Sequence, residues 1–80
     1  INLDHIKPSK IFKWLHKKGI PDKEMLKTFN CGVGFCLIIN PKKINKIKAY
    51  FTDNFKPYVI GKITKNFQEK VKLNGSVNWI

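Results

Sequence analysis

Eighty residues with 16 lysines, five acidic residues and a formal charge of +11 make one small domain or a piece of a larger one. Hydrophobic residues are 42% and aromatics 12% of the chain, which excludes a disordered tail, although a chain this size buries only about 60–65% of its unfolded surface. No apolar run approaches the roughly 20 residues that span a bilayer, and the start Ile1-Asn2-Leu3-Asp4 carries no basic-then-apolar leader, so the expectation is a cytoplasmic fragment with no membrane partner.

Residues 1–8 read as irregular and stop at Pro8. Ser9 is placed to cap a helix over residues 10–18 that Gly19 closes as the C′ residue. Ile11, Trp14 and Leu15 form its apolar stripe, with Phe12 beside it and Lys10, Lys13 and Lys17 facing outward. His16 flanks that stripe and reads as structural or solvated. Pro21-Asp22 opens a second helix with Asp22 as a capping residue and Met25, Leu26 and Phe29 as its apolar side. It ends near Asn30, because Gly32 and Gly34 weaken further turns.

Val33 to Ile39 is an almost unbroken apolar run of strand length, the pattern of a strand covered on both faces. Asn40-Pro41 is an N-cap followed by proline at the first helical position. Ile44, Ile47 and Phe51 extend a third helix to just before Asn54. Tyr58 to Thr64 reads as a strand in which Gly61 marks a bulge or a close backbone approach. Residues 65–68 read as a turn, and 69–74 as a strand with one wet face. Residues 74–80 form a loose tail, with Trp79 placed to dock back. The order helix, helix, strand, helix, strand, strand is α+β, partly ferredoxin-like, with one β-α-β unit and a following hairpin. The whole chain, 1–80, is expected to be a single partial domain, since three strands and three helices make a thin core.

The charge invites a nucleic-acid reading. All sixteen basic residues are lysine, and they are scattered along a chain that also has eleven Ile, eight Asn and six Phe, the skew of an AT-rich genome. Arginine, the preferred partner for bidentate phosphate and guanine contacts, is absent. A nucleic-acid module would present exposed aromatics beside a basic groove; an enzyme fragment would bury its aromatics and disperse its lysines. Cys31 and Cys36 lack the paired spacing of a zinc site, and in an extended segment their odd separation sends them to opposite faces. They read as free thiols, with no metal site.

The corner from Lys27 to Phe35 concentrates the candidate chemistry. Gly32 and Gly34 can present N–H groups to a phosphate or carboxylate; equally, they can serve only the turn. Cys31 has no base next to it in sequence and reads as structural rather than nucleophilic. The Asn30 amide can meet a ligand or cap the adjacent backbone. No catalytic residue is assigned.

At these residues a family resemblance enters. Ile11-Phe12-Lys13-Trp14-Leu15, Glu24-Met25-Leu26, the block Lys27-Thr28-Phe29-Asn30-Cys31-Gly32-Val33-Gly34, and Val59-Ile60-Gly61-Lys62-Ile63 occur in that order. Together they resemble the C-terminal end of the phosphoribosylformylglycinamidine cyclo-ligase, or AIR synthase, family of de novo purine synthesis. The family usually has Arg where this chain has Lys27, and an aliphatic residue or Met where it has Phe35. The resemblance implies an ATP- and Mg2+-dependent ring closure of formylglycinamidine ribonucleotide to aminoimidazole ribonucleotide. ATP phosphorylates the formyl amide oxygen, and the amidine nitrogen then attacks within the same molecule as phosphate leaves. It also implies an N-terminal domain that dimerises, a first half of the C-terminal domain lying upstream, and ATP and Mg2+ bound mostly outside these residues. By the same resemblance Thr28, Asn30, Cys31, Gly32 and Gly34 line one wall of a small-molecule substrate cleft, and the fragment alone is inactive. Two alternatives stay open: a lysine-rich nucleic-acid module, and another member of the same ATP-using superfamily, such as a selenophosphate synthetase or thiamine-phosphate kinase relative.

Overall fold

Helices form where an amphipathic pattern meets a stop signal. A computed structural model describes residues 1–65, 68 and 70–80. In it α1 spans Lys10–Lys17, α2 spans Asp22–Thr28 and α3 spans Ile44–Lys48. Gly19 closes α1 with φ of +102°, the left-handed conformation that costs glycine least. Ser9 stands at the N-cap position of α1 but makes no side-chain capping bond there. For α2 the N-cap is Pro21, and Asp22 uses its carboxylate on His16 instead, at 2.6 Å. Asn40 performs its expected capping: its Oδ1 accepts from the Lys42 N–H at 2.9 Å, opening a 3-10 turn over Pro41–Lys43 that runs into α3.

α3 stops well short of Asn54, and a separate 3-10 turn occupies Asp53–Phe55. Helices this short depend on tertiary packing rather than propensity, and here Tyr50, Phe51 and Phe55 are exposed.

The expected strands are the main correction. Among the described residues no strand ladder forms, and the only β pairing is an isolated parallel bridge between Asn2 and Asn74. Residues 33–39 and 58–64 run without regular structure; among the described residues no backbone hydrogen bond reaches 34–39, and the one backbone bond to 58–64, from Asn2 N–H to Ile60 O, does not extend into a ladder. Parts of the expected turn at 65–68 and of the strand at 69–74 (residues 66, 67 and 69) lie outside the described residues. The expected hairpin is also replaced. The N-terminal segment lies between its two arms: Asn2 N–H donates to Ile60 O at 2.7 Å, Leu3 N–H to Asn74 O at 2.8 Å, and Asn74 N–H to Ile1 O at 2.9 Å. Gly61 marks a close approach, since a Cβ there would sit 2.9 Å from Ile1 Cα.

Residues 1–8 are therefore structural, with a 3-10 turn at Leu3–His5 and with Leu3 and Ile6 buried. The core joins these two to Met25, Cys31, Val77 and Trp79, and Phe12, Leu15, Leu26 and Phe29 pack against it. The stripe on α1 is turned from its expected direction. Ile11 and Trp14 are exposed, while Phe12 and Leu15 pack inward. Val77 and Trp79 lie buried within the stretch expected to be loose. Ser76 N–H donates to Asp4 Oδ1 at 3.0 Å, and Lys13 Nζ donates to Ile80 O at 3.3 Å, tying that stretch down.

The radius of gyration is 14.1 Å, larger than the about 12 Å of a compact chain of this length. The molecule is a slab of 40 × 37 × 17 Å, essentially one layer with its core along one part.

Candidate functional site

The corner between α2 and the extended run is built from two left-handed residues in succession. Cys31 has φ of +54° and Gly32 of +99°, and Val33 N–H donates to Asn30 O at 2.9 Å. Positive φ at both central residues is the signature of a type I′ turn. Gly32 is required twice over. Its φ disfavours any side chain, and a Cβ would lie 3.2 Å from Ser9 N and 3.4 Å from Lys7 O. The corner therefore rests against the backbone leading into α1.

Of the two fates open to Asn30, the amide takes the local one: its Oδ1 accepts from the Gly32 N–H at 2.9 Å. Thr28 ends α2 and is exposed. Gly34 has open space on all sides of its would-be Cβ. Cys31 is buried, and its thiol points to Met25 O at 3.6 Å and Phe29 O at 3.8 Å. Burial pushes the thiol pKa up, the opposite of what activates a nucleophile. So Asn30, Cys31 and Gly32 form one constructed turn, Thr28 flanks it, and Gly34 leads out of it.

Both cysteines are free thiols, Cys31 buried and Cys36 exposed. A maleimide should label Cys36 rapidly and Cys31 slowly in the folded chain, with the two rates converging in denaturant. Equal rates in buffer would remove the structural role given to Cys31. The pH dependence has a fixed sign. A thiol whose folded pKa is raised adds stability that is fully present below the unfolded value of about 8.5. That stability is lost as pH rises through the folded value.

Sequence reasoning missed one cluster. His16 stacks on Trp79, ring centroids 4.7 Å apart and planes 9° from parallel, while its Nε2 meets Asp22 Oδ1 at 2.6 Å. His16 thus links both helices to the C-terminal stretch, the structural role its sequence position left open. Trp79 Nε1 is buried with no hydrogen-bond partner among the described residues. Among those residues no three of His, Cys, Asp or Glu come together as a closed metal site would need. No helix among the described residues is long and apolar enough to cross a membrane.

Comparison with known proteins decides the family. Residues 1–74 match the family described as AIR synthase related protein, C-terminal domain. The chain belongs to that family. It is 47% identical over 57 residues to the phosphoribosylformylglycinamidine cyclo-ligase of Carboxydothermus hydrogenoformans, covering 69% of this chain and 17% of that protein. It is 38% identical over 71 residues to the enzyme of the same name from Methanocaldococcus jannaschii, covering 86% of this chain and 19% of that protein. The chain thus spans less than a fifth of the length of these relatives. No solved structure matches it significantly. The AIR synthase match ends at Asn74, so Val77 and Trp79, which complete the core here, lie beyond it. The exposed Phe35, Tyr50 and Phe55 run against the expectation that an enzyme fragment buries its aromatics. The family assignment outweighs that sign, and the nucleic-acid reading is not favoured.

Proposed function

We propose that this chain is the C-terminal piece of a phosphoribosylformylglycinamidine cyclo-ligase. In that reading the parent enzyme closes formylglycinamidine ribonucleotide to aminoimidazole ribonucleotide in the cytoplasm, using ATP and Mg2+ held mostly by residues upstream. The AIR synthase match over residues 1–74, with relatives that bear the cyclo-ligase name, is the observation that carries it. The chain is one partial domain. Its finer architecture, once the rest of the domain is present, is an α+β layer in which residues 33–39 and 58–64 become paired strands.

Within such an enzyme the corner from Thr28 to Gly34 borders the small-molecule substrate. The rigid turn at Asn30, Cys31 and Gly32 aims backbone groups toward the cleft, and Gly34 leaves room for close approach. Cys31 anchors the turn from beneath. The parent is a homodimer through its N-terminal domain. ADP release in the presence of formylglycinamidine ribonucleotide tests the reading. The 80 residues alone should release none, and the same residues fused behind the upstream part of the M. jannaschii relative should restore turnover. Turnover by the isolated chain, or a folded fusion with none, would overturn it.

A further inference from the structure

Of the eight asparagines in the chain, Asn74 alone precedes glycine. Glycine has no side chain to hinder its nitrogen, so in an Asn-Gly pair that nitrogen can reach the side-chain carbonyl carbon. The fold requires the glycine. Gly75 has φ of +74°, and a Cβ there would lie 2.6 Å from Asp4 Oδ1. No other residue fits at 75 while Asp4 holds its place.

The structure grips the chain on both sides of this pair and leaves the reacting nitrogen free. Upstream, Asn74 N–H donates to Ile1 O at 2.9 Å, and Asn74 O accepts from Leu3 N–H at 2.8 Å. Downstream, Ser76 N–H donates to Asp4 Oδ1 at 3.0 Å. Between these anchors Gly75 N–H donates to no group among the described residues, and Asn74 and Gly75 are both exposed. The AIR synthase match ends at Asn74, so the pair lies where the matched domain passes into the stretch that completes the core.

We infer that Asn74-Gly75 is a modification site, where the folded chain converts to isoaspartate and so releases its C-terminal stretch from the core. The Gly75 nitrogen bonds to Asn74 Cγ, the Cγ–Nδ2 bond breaks, and the amide nitrogen leaves as ammonia with the Gly75 N–H proton. Water then opens the ring. Opening at Cγ gives aspartate on an unchanged backbone. Opening at the main-chain carbonyl gives isoaspartate, in which the chain runs on through Cβ and Cγ. The carbonyl that accepts from Leu3 N–H then becomes a free carboxylate, and Gly75 continues from the former side chain. Residues 75–80 thus leave by a different and longer route, and the register that seats Val77 and Trp79 in the core is lost. The new charge itself is tolerated, since Asn74 shares a hollow with Lys62, Lys65 and Lys72, whose ammonium groups attract an anion. The inference is independent of the reaction assigned to the parent enzyme.

Ageing the whole 80-residue chain in mildly alkaline buffer, with peptide mapping and isoaspartate detection, tests it. Isoaspartate should appear at 74 before any other asparagine, while the chain is still folded by circular dichroism. The purified isoaspartyl form should melt at least about 4 °C below the fresh chain, the low end of the shift for a modest loss in a domain this size. In a Trp14→Phe background its tryptophan emission should move to the red as Trp79 meets water. Asn74→Asp adds the charge without rerouting the backbone, so it should melt with the fresh chain. Asn74→Gln keeps an amide but demands a larger ring, so it should age unchanged. An Asn74 that stays intact in the folded chain and converts only in urea overturns the inference. So does an isoaspartyl form that melts and emits like the fresh chain. A fall in Asn74→Asp as large as in the isoaspartyl form also overturns it, because charge alone would then release the stretch.

Discussion

Replacing Trp79 with alanine should remove about 3–5 kcal/mol of stability, the usual loss when a buried tryptophan is truncated. That is a large share of the total for any small domain, so the variant should melt far below the parent or fail to fold cooperatively. The residue is next to last in the sequence, yet it is 7% exposed and stacks on His16. Losing it opens the core beside Val77 and frees the side chain that joins α1 to Asp22. Trp14 supplies an internal control, because it is 52% exposed. Trp14→Ala should stay near the about 0.5 kcal/mol typical of surface substitutions, despite lying in the middle of a helix. Urea melts of both variants decide the matter. Equal losses, or a greater loss from Trp14, would show that the C-terminal stretch is not part of the core.

The contrast between the two tryptophans marks what was legible in the sequence. Helix positions followed from local chemistry: the Gly19 stop, the Asn40 cap and the spacing of Met25 and Leu26 all act within a few residues. Which side of α1 faces inward was not legible, because the core that takes Phe12 and Leu15 and leaves Ile11 and Trp14 exposed is drawn from both ends of the chain, and the partner of His16 is Trp79, some sixty residues on. The ends of the chain hid their role for the same reason. Leu3, Ile6, Val77 and Trp79 sit in segments too short for any periodicity, and they meet only through long-range contact.

Strand identity failed in a more instructive way. The run from Val33 to Ile39 has strand composition, but a strand is a property of a pair. Composition records what a segment is suited to, and the ladder appears only when its neighbour is present. At the corner the sequence pointed to the turn through Asn30 and Gly32. It held no cue that Cys31 itself adopts positive φ, a conformation uncommon for a residue other than glycine.

That corner makes the core beneath it the second place where one substitution should matter most. Met25 is fully buried at 0% exposure, and its carbonyl accepts from the Cys31 thiol. Met25→Ala should cost about 2–5 kcal/mol, the range for emptying a buried methionine site. Met25→Leu, which nearly conserves volume, should cost less than about 1.5 kcal/mol. The pair separates packing from a general intolerance at this position. Cys31 provides a second readout that a uniform loss of stability would not mimic. In conditions where Met25→Ala remains folded by circular dichroism, the cavity should loosen the turn from below, and maleimide labelling of Cys31 should accelerate toward the rate of Cys36. Labelling of Cys31 that stays slow in folded Met25→Ala would mean that the turn is held by Asn30 and by its contact with Lys7 and Ser9 alone. The α2 core would then have no part in shaping the candidate cleft.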